Sequence, residues 1–142
     1  MASAIRVASH DEAKWIAARL FAFNRATVPA LEIVPLQWVI EDEGVLIGGL
    51  SADLYLGWLS IHVLWIDETV RHRGLGTRLL QHAEDAARAQ GAHGAFLDTF
   101  DWQALAFYRR HGYDCFGTLD DFPPGHSRHF LRKSLLPVES PP

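Results

Sequence analysis

The sequence predicts an α/β or α+β fold, in which a mixed sheet is packed with helices on its faces. Segments with apolar residues at helical spacing alternate with short apolar runs. Two of these runs flank Asp42-Glu43-Gly44, which is typical of an antiparallel hairpin. Glycines at positions 91 and 112 follow the two later helical segments, where helices commonly end. At 142 residues the chain is long enough for one domain with one core.

The N-terminal part is predicted to contain a short strand at residues 4–8, followed by a helix. Ser9 and Glu12 have the spacing of a capping box. The helix runs to about Phe23, and its buried side is expected to consist of Trp15, Ile16, Ala18, Leu20 and Phe23. The hairpin strands follow at residues 37–40 and 45–50. Residues 58–66 are almost continuously apolar, which indicates a central strand covered on both faces, with His62 as the exception.

The C-terminal part is predicted to contain two helices and three strands. The first helix opens at Gly74 and ends at Gly91. A strand at residues 95–100 leads to a short helix from about 102 to 110, with Asp101 as its N-cap. Strands at 113–119 and 129–134 surround the loop 120–126, in which residues 122–126 are a candidate rim or lid.

Composition excludes several classes of partner. The formal charge of −4 argues against a broad surface for nucleic acid or anionic membrane. Cys115 is the only cysteine, so no intrachain disulfide can form, and we expect a cytoplasmic protein without a membrane segment. His126 and His129 lack a third ligand nearby, so no metal site is expected. Residues 1–136 are expected to form the domain and residues 137–142 a disordered tail.

Arg71-His72-Arg73-Gly74-Leu75-Gly76 is the most informative segment. It follows the central strand and opens directly into a helix, where free backbone N–H groups and the helix dipole favour an anion. The glycines allow a bulky phosphate to approach closely, and the arginines add positive charge or lie in solvent. The spacing fits neither a Walker loop nor a dinucleotide fingerprint. A simple strand-to-helix turn is the alternative.

Two motifs in the chain resemble those of the GNAT acetyltransferase superfamily. Arg71, Gly74 and Gly76 match its Arg/Gln-x-x-Gly-x-Gly/Ala signature after the fourth strand. The segment from Asp101 to Tyr113 resembles its second motif, Asn-x-x-Ala-x-x-Phe-Tyr-x-x-x-Gly-Phe/Tyr. Both motifs occur in the right order, and the resemblance extends from about residue 58 to residue 135. It implies a mostly antiparallel sheet with splayed central strands and a single acyl-CoA N-acyltransferase domain at 1–136.

The resemblance also implies which residues would hold acetyl-CoA. Backbone groups of Leu64 and Ile66 would pair with pantetheine, and those near Leu64 would serve as oxyanion donors. The pyrophosphate would be bound by residues 71–77, which are Arg71, His72, Arg73, Gly74, Leu75, Gly76 and Thr77. Asp101 stands where many members have an asparagine that contacts the cofactor. An ionised Asp101 could not donate a side-chain hydrogen bond, which puts that contact in doubt.

Acetyl transfer to an amine needs a neutral amine and benefits from a proton for the leaving thiolate. Tyr108, at the family's tyrosine position, is the candidate general acid, and a core aromatic is the alternative. His62 is the first candidate for the base. Period-two alternation puts it on one strand face with Ser60 and Leu64, unless a bulge intervenes, and a buried imidazole would suit the task. A core histidine is an equal interpretation.

Other bases remain open, and so does the acceptor. Asp98 is the next candidate for the base, or else part of a buried hydrogen-bond network, and Asp53 or Glu43 could act through water. The expected activity is acetyl transfer from acetyl-CoA to the primary amine of a small molecule, by direct attack in a ternary complex. A non-catalytic acyl-CoA-binding module and a protein or peptide N-acetyltransferase are the alternatives. Family members are often dimers, so a homodimer is expected by resemblance alone.

Overall fold

The structure is a computed structural model, and it describes residues 2–137. The predicted tail at 137–142 lies almost wholly outside the described residues. The chain divides into two compact units, Met1–Glu32 and Ile33–Pro142. No helix in the described range is long and apolar enough to span a bilayer.

The first unit consists of an extended segment and helix α1 (His10–Thr27). The predicted capping box is confirmed: Glu12 N–H donates to Ser9 Oγ (3.1 Å), and Ser9 N–H donates to Glu12 Oε1 (3.0 Å). The strand expected at 4–8 is wrong, because these residues have no strand partner and Arg6 instead pairs with Glu12. No residue of α1 is buried, so the expected buried side is not observed.

The second unit is built on a six-stranded sheet with the order β1-β2-β3-β4-β6-β5. The strands are β1 (Val34–Asp42), β2 (Val45–Tyr55), β3 (Trp58–Ile66), β4 (Gly94–Phe100), β5 (Asp114–Asp120) and β6 (Ser127–Ser134). All neighbours are antiparallel except β3 and β4. The predicted hairpin is confirmed, and its turn residues Glu43 and Gly44 both have positive φ. The expected mixed, mostly antiparallel sheet is therefore present.

Two irregularities in the sheet shape the region around β3. The parallel pairing of β3 with β4 covers only three residue pairs and ends at Ser60 and Phe96, so the strands separate beyond that point. A bulge in β3 lies opposite Ser51 and Ala52 of β2, where the register skips His62. The sheet is thus splayed at its centre, as the resemblance implied.

Helix α2 (Leu75–Ala89) connects β3 to β4 and covers one face of the sheet. Its apolar face and the sheet share one core, with Leu59 and Leu131 fully buried. The expectation that β3 is covered on both faces is wrong for its second half, because Val63 and Trp65 are about half exposed.

Helix α3 (Leu105–Arg110) is shorter than predicted and is not capped by Asp101. Its N-cap is Ala104, which has no side chain to accept a hydrogen bond. Residues 101–104 form turns in which Gln103 Oε1 accepts from Phe100 N–H at 2.9 Å. This side chain supports a turn where the sequence pattern predicted the first turn of a helix.

Candidate functional site

The gap between β3 and β4 is the first element of the candidate site. Beyond Ser60, the β3 edge facing β4 has no strand partner in the described sheet. Leu64 and Ile66 lie on this open stretch, as expected for strand residues with backbone groups available to a ligand. The carbonyl of Ile66 already accepts a hydrogen bond from Arg71 Nε at 3.1 Å, which anchors the following turn to the strand end.

The turn at residues 71–77 presents a row of free backbone donors. Within the described chain, none of the N–H groups from Arg71 to Thr77 donates to a protein acceptor, and Arg78 N–H is the first to bond back into the helix. Gly74 has φ +75°, and a Cβ there would meet no atom within 4 Å. Such a run of converging amides at the start of a fifteen-residue helix is suited to an anion.

Three elements converge beside this turn. A Cβ on Gly76 would lie 3.4 Å from Phe107 Cζ of α3 and 3.8 Å from Ile66 Cγ1 of β3. Thr77 Oγ1 lies 3.0 Å from His111 Nε2, just after α3. The two sequence motifs therefore meet in space at the open end of β3, although about 30 residues separate them along the chain.

Tyr108 lies in the core on α3 but keeps its hydroxyl available. The residue is 7% exposed, and its ring packs edge-on against Phe107 and Tyr113. Its hydroxyl has no hydrogen-bond partner among the described residues. Every fully buried side-chain oxygen in that part of the chain does have a partner, so the Tyr108 hydroxyl is not fully buried. The hydroxyl therefore reaches open space. Desolvation by burial raises the pKa of Tyr108 to about 12.

His62 forms a pair with Asp53 that the sequence did not reveal. His62 Nε2 lies 2.9 Å from Asp53 Oδ2, and the His62 side chain is 49% exposed. The expected buried imidazole is therefore wrong. The expected shared face holds for Ser60 but is wrong for Leu64, because the bulge puts Ser60 opposite Asp53 and Leu64 opposite Leu50, and Asp53 and Leu50 lie on different faces. His62 shares the face of Asp53 and Ser60.

Asp98 on β4 is engaged by Arg128 of β6. Arg128 Nε donates to Asp98 Oδ1 at 2.9 Å, and a terminal nitrogen of the same guanidinium lies 2.7 Å from that oxygen in an ion pair. The same guanidinium lies 5.3–5.5 Å from the ring centres of Phe100, Phe122 and Phe130. This arrangement matches the interpretation of Asp98 as part of a hydrogen-bond network, although its carboxylate is partly exposed and not buried.

Asp101 holds the loop before β6 in place. Its carboxylate accepts from Ser127 N–H at 3.0 Å and lies 2.9 Å from His126 Nδ1, while His126 packs edge-on against Trp102. Burial alone would raise the pKa of Asp101, but the hydrogen bonds from His126 and Ser127 outweigh it and lower that pKa. The loop expected to form a rim is thus attached to the end of β4.

The sequence did not indicate a buried ionic cluster at Glu84. This α2 carboxylate has a side chain only 3% exposed; it accepts from Tyr113 Oη at 2.8 Å and from Lys133 Nζ at 2.7 Å. A cavity of about 290 Å³ is lined by Glu84 and Lys133 together with Arg88 and His111. The acidic residue on an otherwise apolar helix face was the available signal. Because its charges are mutually paired, the cluster is structural.

Comparison with known proteins places the chain in a family. Residues 9–113 match the model described as "Acetyltransferase (GNAT) family". A blasticidin-S acetyltransferase from Streptomyces morookaense is 38% identical over 112 residues, which cover 75% of this chain and 82% of that protein.

Solved structures agree with this assignment. An acetyltransferase from Bacillus cereus matches with a TM-score of 0.85 and 33% identity, covering 93% of this chain and 97% of that one. An aminoglycoside 6′-N-acetyltransferase complexed with coenzyme A shares the fold, with a TM-score of 0.65, 18% identity and coverage of 75% and 76%. The chain belongs to the acetyltransferase (GNAT) family.

Proposed function

We propose that the protein transfers an acetyl group from acetyl-CoA to the primary amine of a small molecule, by direct attack in a ternary complex. The observation that carries the proposal is the row of free N–H groups at residues 71–77, which opens beside the gap between β3 and β4. An elongated ligand with a pyrophosphate fits this combination of an anion site and an open strand edge.

The residues present fit coenzyme A at this site. The space beside Gly74 leaves room for a phosphate, and the backbone amides of residues 71–77 would hold it, with Arg73 adding positive charge. Backbone groups of Leu64 and Ile66 on this open edge would bind the extended arm, with the Ile66 carbonyl already accepting a hydrogen bond from Arg71 Nε. The coenzyme supplies an activated thioester, and the amides of β3 near Leu64 would stabilise negative charge on the thioester oxygen. Asp101 is not proposed to contact it, because both carboxylate oxygens are engaged.

Tyr108 is the proposed hydrogen-bond donor to the leaving sulfur. Its raised pKa keeps the phenol protonated throughout the neutral range, and its hydroxyl has no competing partner in the described chain. Stabilisation of charge on sulfur by a hydrogen bond is the role that this burial favours, since a buried phenol gives up its proton reluctantly.

His62 is the proposed general base for the acceptor amine. It lies just beyond the last β3–β4 pair, with its ring half-exposed and therefore reachable. Asp98 is less suited, because Arg128 already engages it through a hydrogen bond and an ion pair. Direct attack is favoured because the only cysteine, Cys115, lies on edge strand β5, separated from β3 by β4 and β6.

A small-molecule acceptor is supported by the relatives. One acts on blasticidin S and a more distant one on an aminoglycoside, according to their names. We also propose that residues 1–136 act as one domain, since the family match runs across both compact units.

A paired set of glycine variants tests the coenzyme site. Gly74 and Gly44 have nearly the same positive φ (+75° and +80°), and a Cβ on either meets no atom within 4 Å. Alanine should therefore strain both turns by about 1–2 kcal/mol. We expect Gly74→Ala alone to weaken coenzyme A binding in calorimetry, by roughly tenfold for 1.4 kcal/mol of lost binding energy. Equal affinities in the two variants would refute the site.

A thiol-release assay with acetyl-CoA tests the activity. The expected result is turnover with some members of a panel of small amines and none with peptides. Coenzyme binding without turnover on any amine would favour a non-catalytic module. Turnover with peptides alone would favour a protein acceptor.

A further inference from the structure

The β3 bulge places His62 on the same face of the sheet as Asp53. Because the register skips His62, its side chain turns toward the face on which Asp53 and Ser60 lie directly opposite each other. The contact is made by the distal nitrogen, Nε2, at 2.9 Å from Asp53 Oδ2. The nearer nitrogen, Nδ1, has no hydrogen-bond partner within the described chain.

We propose that Asp53 is a positioning residue for His62, which it holds in the tautomer with the proton on Nε2 and the lone pair on Nδ1. This inference rests on the proposed function, and it assigns the general base to a particular atom. An ionised carboxylate accepts hydrogen bonds only, so a neutral imidazole can bond to it only by donating Nε2–H. The nitrogen left to take a proton is then Nδ1.

The proton balance follows from that arrangement. The acceptor's ammonium gives one proton to Nδ1, which leaves a neutral amine with a free electron pair for attack on the thioester carbon. The imidazole becomes an imidazolium, and Nε2–H stays on Asp53, whose negative charge lies beside the new positive one. The C–S bond of the thioester would then break, the acylated nitrogen would lose its second proton to solvent, and the thiolate would leave under the hydrogen bond from Tyr108 and take up a proton from solvent. The imidazolium returns its own proton to solvent, which reaches both side chains because they are 49% and 35% exposed.

Among the groups on the same face of the sheet, Asp53 is the charged partner of His62. Ser60 pairs with Phe96 of β4, and strand side chains alternate between faces, so Asp98 of β4 lies on the same face as Ser60. Asp98 is therefore the β4 charge nearest to His62 on this face, and it is paired with Arg128 of β6. From β2, Tyr55 shares the face of Asp53 but is a phenol and not a second carboxylate. Ser60, which pairs with Asp53 of β2 and Phe96 of β4, is uncharged and largely buried.

A double-mutant cycle separates positioning from a structural role. We compare Asp53→Asn, His62→Gln and the double variant by steady-state kinetics. We expect His62→Gln to lower kcat by about 100-fold and Asp53→Asn by about tenfold, because an amide can also donate to Nε2 and favour the wrong tautomer. In the His62→Gln background, Asp53→Asn should have no further effect on kcat, and the KM for acetyl-CoA should stay unchanged in all three.

Additive losses would overturn the proposal, because they would mean that Asp53 acts independently of His62. The matched control is Asp114→Asn, which changes an exposed strand aspartate on β5 and should keep wild-type kcat. Asp53→Glu, which retains the carboxylate, should recover part of the lost kcat.

Nitrogen-15 NMR of the imidazole gives a readout that does not depend on turnover. The wild-type protein should show a protonated Nε2 in neutral His62, and Asp53→Asn should show a mixture of tautomers. A protonated Nδ1 in a wild-type enzyme that turns over would overturn the dyad but leave the proposed function intact. No wild-type turnover with any amine would overturn the proposed function and the catalytic role of the dyad together, whichever tautomer is seen.

Discussion

Replacing Tyr108 by phenylalanine isolates the contribution of one hydroxyl group. The ring stays, so its packing against Phe107 and Tyr113 is retained, and the hydroxyl makes no hydrogen bond to the described protein. The variant should therefore fold with wild-type stability. Any change in rate then reports on contact of the hydroxyl with the reacting groups.

The magnitude follows from the raised pKa. Full proton transfer from a phenol of pKa about 12 to a thiolate of pKa about 8.5 would be uphill by about 5 kcal/mol, at roughly 1.4 kcal/mol per unit. A hydrogen bond to the charged sulfur is worth about 1.5–3 kcal/mol. We therefore expect kcat to fall by roughly 10- to 150-fold, with little change in the affinity for acetyl-CoA.

The matched control is Tyr113→Phe. Tyr113 also lies in the core, but its hydroxyl donates to the buried Glu84 carboxylate. Losing that donor should lower the free energy of unfolding by about 1–3 kcal/mol and leave kcat unchanged. Thiol release measures kcat, and urea denaturation measures stability. Wild-type kcat in Tyr108→Phe, or equal kinetic losses in both variants, would refute the assigned role of Tyr108.

Three further predictions concern stability and loop anchoring. Gly94→Ala should destabilise the protein by about 1–3 kcal/mol in urea denaturation, since the new Cβ would lie 2.6 Å from the Trp58 ring, whereas Gly117→Ala, with open space at that strand position, should be tolerated. Stability should fall as pH rises above about 10, because burial raises the pKa of Tyr108 to about 12 in the folded state. Stability from this group is complete below the unfolded pKa near 10, and about 2.3 kcal/mol of it is lost by pH 12. Thermal melts of Tyr108→Phe should show a smaller alkaline loss, and an identical loss would contradict this. Asp101→Ala should raise the KM for the amine more than that for acetyl-CoA, because it releases the loop before β6; an equal rise in both, measured by steady-state kinetics, would contradict it.

Local patterns predicted most of the elements, because each depended on nearby residues. The strand at 58–66 has the predicted bounds, and the hairpin turn at Glu43 and Gly44 follows from residues that tolerate positive φ. The candidate anion-binding turn at residues 71–77 was recognisable because glycines and a helix start are adjacent in sequence. Its free amides are a direct consequence of helix geometry.

Features that depend on pairing between distant segments were not predictable. The bulge at His62 is a property of how β3 registers with β2, and it decides both the face of the imidazole and its contact with Asp53. Asp101 had the right residue type and spacing for an N-cap, but His126 and Ser127, about 25 residues later, occupy its carboxylate. A sequence pattern does not show whether a side chain makes a local hydrogen bond or a competing long-range one.

The short pairing between β3 and β4 has a consequence for solubility. A sheet normally has two edges, here β1 and β5, but the separation after Ser60 and Phe96 adds an unpaired edge in its interior. Unpaired strand edges attract other chains, and proteins usually protect them. A ligand lying along β3 would cover this edge in the same way as a protecting strand. The bound coenzyme would then also prevent the protein from associating through this open edge of β3. The protection would be greatest where the cellular concentration of the coenzyme saturates the site.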